Sequence, residues 1–399
     1  MDSLFCVRKD NAMSELQHRD SEYIASTYAR FPVDLEKGEG SLLWGTDGKR
    51  YIDMGSGIAV TSFGIADKAW QSAVTAQLSK LQHTSNLYYT QPCVDLAELL
   101  CKKTGLKKVF FSNSGAEANE CAIKAARKYA ATKKGEDWYT IVTLKNSFHG
   151  RTLTTLSATG QEHYHELYQP LTPGFVHVAP GDLSELESIV RKHKVAGILI
   201  ECIQGEGGVN VMDADFIKGV AEIAAREDFL LMFDEVQTGN GRTGALYAYM
   251  HYGVTPDVVT TAKGLGGGLP IGATMLGEKA QNVFSFGDHG STFGGNPVCA
   301  AGAVSILSRI DDELLAEVEA KGAYLRHAFE NAPGVLSVSG MGLMVGIETV
   351  RPAAEVVKEC MKKGVLCLTA KNKVRLLPAL NIPVELLHEA TEIILSALA

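Results

Sequence analysis

One stretch, Phe229 to Gly268, constrains this chain more than any other: it reads FLLMFDEVQTGNGRTG, then a spacer, then PDVVTTAKGLGGG. Phe229 to Phe233 is an almost unbroken apolar run, the pattern of a strand covered on both faces, and it stops at the acid pair Asp234 and Glu235. A second run, Val258 to Ala262, stops just as abruptly at Lys263, before a glycine cluster. Ligands of an open α/β sheet sit beyond the carboxyl ends of its parallel strands. Two such ends would therefore present a carboxylate and an amine to one crevice.

An amine in that position can condense with an aldehyde, and pyridoxal phosphate (PLP) is the cofactor that uses one. The carboxylate would then keep the pyridine nitrogen protonated, which makes the ring an electron sink. Taken singly, each residue has a plainer reading. A lysine after an apolar run is usually a solvated surface residue, and Asp-Glu after a strand is often a helix N-cap. An independent phosphate motif shifts the balance. VFFSNSGAEANE (Val109 to Glu120) reads as strand, small polar turn and helix start, and Ser114, Gly115 and Ala116 are small enough to let backbone N–H groups close on a phosphate. The same spacing, Ser114 to Glu117, also fits an ordinary capping box, and both readings can hold at once.

Composition bounds the remaining classes. With 399 residues, 46% hydrophobic and 21% charged, the chain has the make-up of a soluble globular protein. A net charge of −8 and a pI near 5.8, with no basic run, argue against nucleic acid as its partner. The eight cysteines show no CxxC pair and no metal-ligand spacing, so free thiols in a reducing cytosol are expected, and no metal. No long uncharged apolar span or secretory segment is present in the sequence, and a cytoplasmic location is expected.

Further stretches complete the pattern. GEGSLLWGTDGKRYIDMGSG (Gly38 to Gly57) carries a hairpin signal around Asp47-Gly48, and Met1 to Tyr28 reads as a polar, helical or loose arm. SFHGRT (Ser147 to Thr152) follows a strand at Thr140 to Thr143, AGILIECIQGEGG (Ala196 to Gly208) is a strand ending in Glu201 and Glu206, and GSTFGGNP (Gly290 to Pro297) precedes a change of pattern. From there on a surface helix over Asp311 to Ala332 and strands at Gly334 to Ser339, Leu343 to Glu348, Val365 to Thr369 and Val374 to Leu377 are expected. GLGGGLP (Gly264 to Pro270) is no dinucleotide loop, since a lysine precedes the glycines and no helix is opened.

DEVQTGNGRTG with TTAKG resembles the signature of the class III aminotransferases, in the fold-type I PLP superfamily, and the likeness runs from about Arg30 to the C-terminus. The resemblance implies an α/β fold with a mostly parallel central sheet flanked by helices in a large domain (57–297). The small domain is built from both termini (1–56 and 298–399). It implies that Lys263 carries PLP and then moves the substrate proton, and that Asp234 meets the ring nitrogen. Phe148 and Val236 would lie against the ring, Gln237 would meet its hydroxyl, and Ser114, Gly115 and Ala116 would hold the phosphate. Thr292 would reach the phosphate in the neighbouring subunit of an obligate homodimer. Arg151, Glu201, Ser291 and Arg375 would contact substrate, with Glu206 a gate paired to Arg375. The implied reaction moves a terminal amine to 2-oxoglutarate, giving glutamate. N-acetylornithine is favoured as the donor because Gly57-Ile58-Ala59 lacks the tyrosine expected of ornithine enzymes, and succinylornithine, succinyl-diaminopimelate, ornithine and 4-aminobutyrate follow in that order. One departure stands out: Thr61 and Gly64-Ile65-Ala66-Asp67 replace an asparagine and a Gly-His-x-His element at the domain boundary.

Overall fold

The computed structural model describes residues 13–398. The first part of the expected N-terminal arm, residues 1–12, lies outside that range. The rest of it contains a helix, Glu15–Tyr23, that buries none of its residues.

Apolar runs of strand length dominate the middle of the chain, and they assemble into one seven-stranded sheet. Across the sheet the order is Lys108–Ser112, Gly272–Leu276, Val258–Thr261, Leu230–Asp234, Val195–Ile200, Thr140–Leu144 and Phe175–Val178. Only Gly272–Leu276 runs antiparallel to its neighbours. The strands at 140–144, 195–200, 230–234, 258–261 and 272–276 are buried along their whole length, as a sheet covered on both faces requires. The long helix Gly115–Lys134 lies across this sheet on a face of small residues, Ala118, Ala122, Ala125, Ala126 and Ala130. Their size permits close approach: a Cβ added at Gly197 would stand 2.9 Å from that of Ala126.

The chain's two ends meet. The hairpin Leu42–Gly45 and Arg50–Asp53 turns at Gly48 (φ +80) and then pairs in parallel with Val365–Leu366. A second four-stranded sheet holds Val335–Met341, Met344–Thr349, Lys373–Leu376 and Leu368–Ala370. The single strand expected over Val365 to Thr369 is therefore two strands in two different sheets. Buried Cys367 is the lone residue between them, because the chain turns a corner there. Helix Asp312–Glu330 matches the expected amphipathic stretch.

Arg242 joins these parts. It is almost fully buried and donates from one guanidinium nitrogen to the carbonyls of Leu343 (3.0 Å) and Pro378 (2.5 Å). Burial lowers its pKa to about 9, with Asp53 opposing the shift. Nearby, the departure at Thr61 to Asp67 has its own anchors. Gly64 is left-handed (φ +78), and any Cβ there would stand 2.5 Å from the carbonyl oxygen of Gly40. Asp67 caps the helix Lys68–Leu78 through Trp70 N–H (2.8 Å) and receives the Arg309 fork at 2.7 and 3.0 Å. Ordinary capping and pairing thus hold the boundary where histidines were expected.

A histidine on the edge strand is poised to couple folding to pH. Thr143 donates its hydroxyl to Ala158 O (2.8 Å), so at 2.7 Å the His177 Nδ1 must be the donor to Thr143. Burial, with His165, His149 and Lys145 nearby, lowers its pKa to about 4. The unfolded chain then takes a proton near the ordinary value while the native state resists until about pH 4. Stability is complete above that ordinary value and falls by up to about 3 kcal/mol as acid is added. Chemical denaturation of His177→Gln between neutral pH and pH 4.5 should show a shallower acid loss than the native chain; parallel losses would contradict this.

Candidate active site

Strand ends build the site. Asp234 is the last residue of Leu230–Asp234, Glu201 follows Val195–Ile200 directly, and Lys263 stands two residues beyond Val258–Thr261. Ser114 caps the helix that follows Lys108–Ser112. These ends open into one cavity of about 470 Å³. Of the residues expected to act there, Lys263, Asp234, Ser114, Gly115, Ala116, Phe148, Arg151, Val236, Gln237, Glu201 and Glu206 all line it.

Lys263 is held in a strained backbone. Its φ is +45, in the left-handed region, and the preceding turn is pinned by Asn240, whose amide donates to Thr261 Oγ1 (3.0 Å) and Ala262 O (3.3 Å). Burial lowers the pKa of its amine below the usual value, Glu206, Asp234 and Glu201 oppose the shift, and Arg375 adds to it. Asp234 is surrounded by donors: Asn119 Nδ2 at 2.7 Å and His149 Nδ1 at 2.8 Å reach Oδ2, and Val236 N–H reaches Oδ1 at 3.0 Å. Neighbouring Glu201 accepts Phe148 N–H at 3.0 Å. Burial, then the Asp234 charge, drives its pKa well above the carboxylate range. Glu235, the other acid of the pair, faces the core instead. It accepts from Thr238 Oγ1 and the amides of Ala248 and Tyr249, and burial raises its pKa to about 7.

At the helix start, Ser114 Oγ accepts Glu117 N–H (3.2 Å) and Glu117 accepts Asn113 N–H (2.5 Å), which leaves the first turn ordered around free amides. Gly115 must be a glycine, since a Cβ would come within 2.6 Å of Val236. On the rim, Arg151 is exposed and stacks on Tyr164, 4.2 Å from the ring centroid.

Arg375 lies just behind the cavity on Lys373–Leu376, only 3% exposed. It donates to Glu206 at 2.6 Å and 3.4 Å and to Gln237 Oε1 at 3.0 Å, while Gln237 Nε2 donates back to Glu206 at 3.1 Å. Burial would raise the Glu206 pKa, yet the Arg375 charge and hydrogen bond bring it below the usual value. Its ionised form is therefore secure at neutral pH.

Ser291 and Thr292 do not enter this cavity. Thr292 is exposed and lines an adjoining groove, where Ser291 Oγ accepts Asn113 Nδ2 at 3.1 Å. Three site residues were not foreseen from sequence. His149 sits between Phe148 and Arg151, inside a motif already singled out, and Asn119 lies one helical turn beyond Gly115 on the same face. Tyr164 carried no local signal.

A family model described as aminotransferase class-III matches residues 23–398. The chain is 48% identical over 387 residues to the acetylornithine aminotransferase of Haemophilus ducreyi, covering 96% of this chain and 98% of that one. It is 42% identical over 372 residues to that of Methanocaldococcus jannaschii, covering 92% and 93%. Among solved structures, the ornithine aminotransferase of Toxoplasma gondii superposes with a TM-score of 0.93 at 32% identity, over 98% of this chain and 96% of that one. The N-acetylornithine aminotransferase of Stenotrophomonas maltophilia does so with a TM-score of 0.81 at 35% identity, over 94% and 97%. With the family model reaching almost from end to end, the chain belongs to the class-III aminotransferases.

Proposed function

We propose that this chain transfers the terminal amine of N-acetylornithine to 2-oxoglutarate, a step of arginine biosynthesis. Class-III aminotransferases depend on PLP and have PLP fold type I, and the residues here fit that group. A buried amine, a carboxylate held by three donors and a helix start cleared by Gly115 suit an aldehyde, a pyridinium and a phosphate. When bound, the ring supplies an electron sink for the carbon next to the reacting nitrogen. Lys263 holds the cofactor and, once released, moves the proton at its Nζ; burial favours the neutral amine that this needs. The Asp234 carboxylate would hold the proton on the ring nitrogen, Phe148 and Val236 would hold the ring, and Gln237 keeps one amide N–H that the ring hydroxyl would take.

The observation that carries the substrate reading is the Arg375–Glu206 pair at 2.6 Å. Glutamate brings a carboxylate on the reacting carbon and the acylated diamine does not. A lone buried arginine would be costly with the diamine bound, and Glu206 covers it. Exposed Arg151 serves the distal carboxylate of both substrates, with Glu201 beside the path. Around the mouth the turn Ser56 to Ala59 is left-handed at every residue (φ 47, 62, 66 and 60) and presents Ile58, an apolar side chain that suits an acylated head. The similarity to acetylornithine aminotransferases supports the same donor.

A second copy of the chain completes the site in this reading. Leu87, Tyr88, Tyr89, Phe286 and Phe293 are exposed, Phe293 lines the Ser291–Thr292 groove, and Asn86, next to Leu87, donates to Ser291 O at 2.9 Å; exposed apolar side chains of this kind mark interfaces. Thr292 would there reach the partner's cofactor phosphate. The setting in this reading is a reducing cytoplasm, in which the seven cysteines among the described residues are free thiols; among the same residues no helix is long and apolar enough to cross a membrane.

Single-turnover conversion of the cofactor with each donor separately tests the gate. Arg375→Ala should slow the glutamate half-reaction by about 2–5 kcal/mol, the range for truncating one buried charged partner. Turnover of N-acetylornithine should stay near normal, and Arg375→Lys should resemble the alanine variant because the fork is lost. Equal losses with both donors would remove the selector role. Mixed dimers of Lys263→Ala and Thr292→Ala chains test the shared site. The chain that keeps Lys263 should retain cofactor at native affinity, whereas affinity as weak as in the Thr292→Ala homodimer would place Thr292 in its own subunit's site.

A further inference from the structure

Asn119 is 1% exposed and touches the cavity from the helix Gly115–Lys134, and the reading above counts it only as one of the three groups around Asp234. Both N–H groups of its amide are engaged. They reach Asp234 Oδ2 at 2.7 Å and the His149 carbonyl at 2.8 Å. Its oxygen accepts the Thr260 hydroxyl at 2.7 Å. A flipped amide would set its oxygen against a carboxylate and a carbonyl, two acceptors, so the orientation is fixed. Thr260 is itself rigid: it lies directly opposite Asp234 in the parallel ladder, and its carbonyl accepts Glu235 N–H at 2.9 Å.

Two groups that can only donate hold the two oxygens of Asp234, the Asn119 amide at Oδ2 and the Val236 N–H at Oδ1, and His149 Nδ1 joins Asn119 at Oδ2 as a donor in the forms that carry a proton there. The titratable groups around Asp234 are His149, which touches it, and Glu201, Glu235 and Lys263, each of which feels its charge. Burial, with the Asp234 charge adding to it, pushes both Glu201 and Glu235 toward their neutral forms, so the acceptor that the Asn119 amide holds in this cluster is Asp234.

We propose that Asn119 is a positioning residue: its carboxamide, locked by Thr260, holds the Asp234 carboxylate rotated toward the cofactor's ring nitrogen. This rests on the PLP reading above. One helix would then set both ends of the cofactor, with Gly115 at the phosphate and Asn119, four residues and about 6 Å further along the axis, behind the ring nitrogen. Leucine at 119 would keep the volume and remove the donor. It would also orphan the Thr260 hydroxyl, a structural fault that Thr260→Val repairs, since replacing both hydrogen-bond partners by apolar groups is close to neutral.

That asymmetry separates positioning from packing. The experiment uses holoenzyme reconstituted with PLP labelled with 15N in the ring and follows the ring-nitrogen chemical shift against pH, along with single-turnover rates. Asn119→Leu should melt lower than the native protein, and Asn119→Leu with Thr260→Val should recover much of that loss. In both variants the ring nitrogen should lose its proton at lower pH than in the native enzyme. Proton transfer should slow by about 10- to 100-fold, the range for one hydrogen bond to a buried charge, while KM for either donor stays within about twofold of native. A native ring-nitrogen titration and native rate in the double variant would overturn the proposal and leave Asn119 a packing residue. Failure of the native protein to take up PLP would instead overturn the cofactor reading on which the proposal rests.

Discussion

Asp234 and Glu201 come to rest side by side at the ends of two adjacent buried strands, and the rest of the site depends on how their charges are held. Two carboxylates cannot both ionise cheaply away from water. Three donors surround Asp234, while Glu201 receives one backbone amide and is pushed strongly toward its neutral form. In the proposed function one acid is the counter-charge for a protonated ring, and its neighbour, driven toward the neutral form, would border the substrate path. The third acid of the cluster, Glu206, keeps its charge because Arg375 stands behind it. Environment, and not residue type, assigns three roles to three carboxylates.

The small sheet matters to the proposed chemistry for one reason: it carries Arg375. Lys373–Leu376 lies beside Met344–Thr349, and the turn before that strand accepts Arg242 through Leu343 O. Leu377 N–H donates to Met54 O at 2.7 Å and Leu380 N–H to Ser62 O at 2.8 Å, which ties the same segment to the loop before the cavity. Arg375 is therefore positioned by the joint between the two parts of the chain. Gln237 completes the link, since its amide touches Arg375 and Glu206 together and extends from the turn just past Asp234.

Much of this was legible in the sequence because the chemistry sits where patterns stop. The runs ending at Asp234 and Lys263 are apolar enough to declare buried strands, and a charge at the end of such a run has few places to go. The glycine at 115 and the small residues beside it declare a helix start for the same kind of reason. Asn119 and Thr260 were not legible, because a polar residue inside an alanine-rich helix or a threonine within a β-branched run is ordinary. Their meaning comes from a contact 141 residues apart in sequence. The strand expected over Val365 to Thr369 failed for a related reason: five strand-favouring residues carry no mark that the chain changes sheets at Cys367. The left-handed turn at Ser56 to Ala59 was equally silent, since only one of its four residues is a glycine.

Everything above requires that one amine, at the end of one strand, carry the cofactor. Reduction of the holoprotein with borohydride freezes that bond, and proteolysis followed by mass spectrometry locates it. The pyridoxyl mass should appear on the peptide containing Lys263 and on no other lysine. A label on a different lysine, or cofactor that washes away unattached after reduction, would contradict the account at its centre.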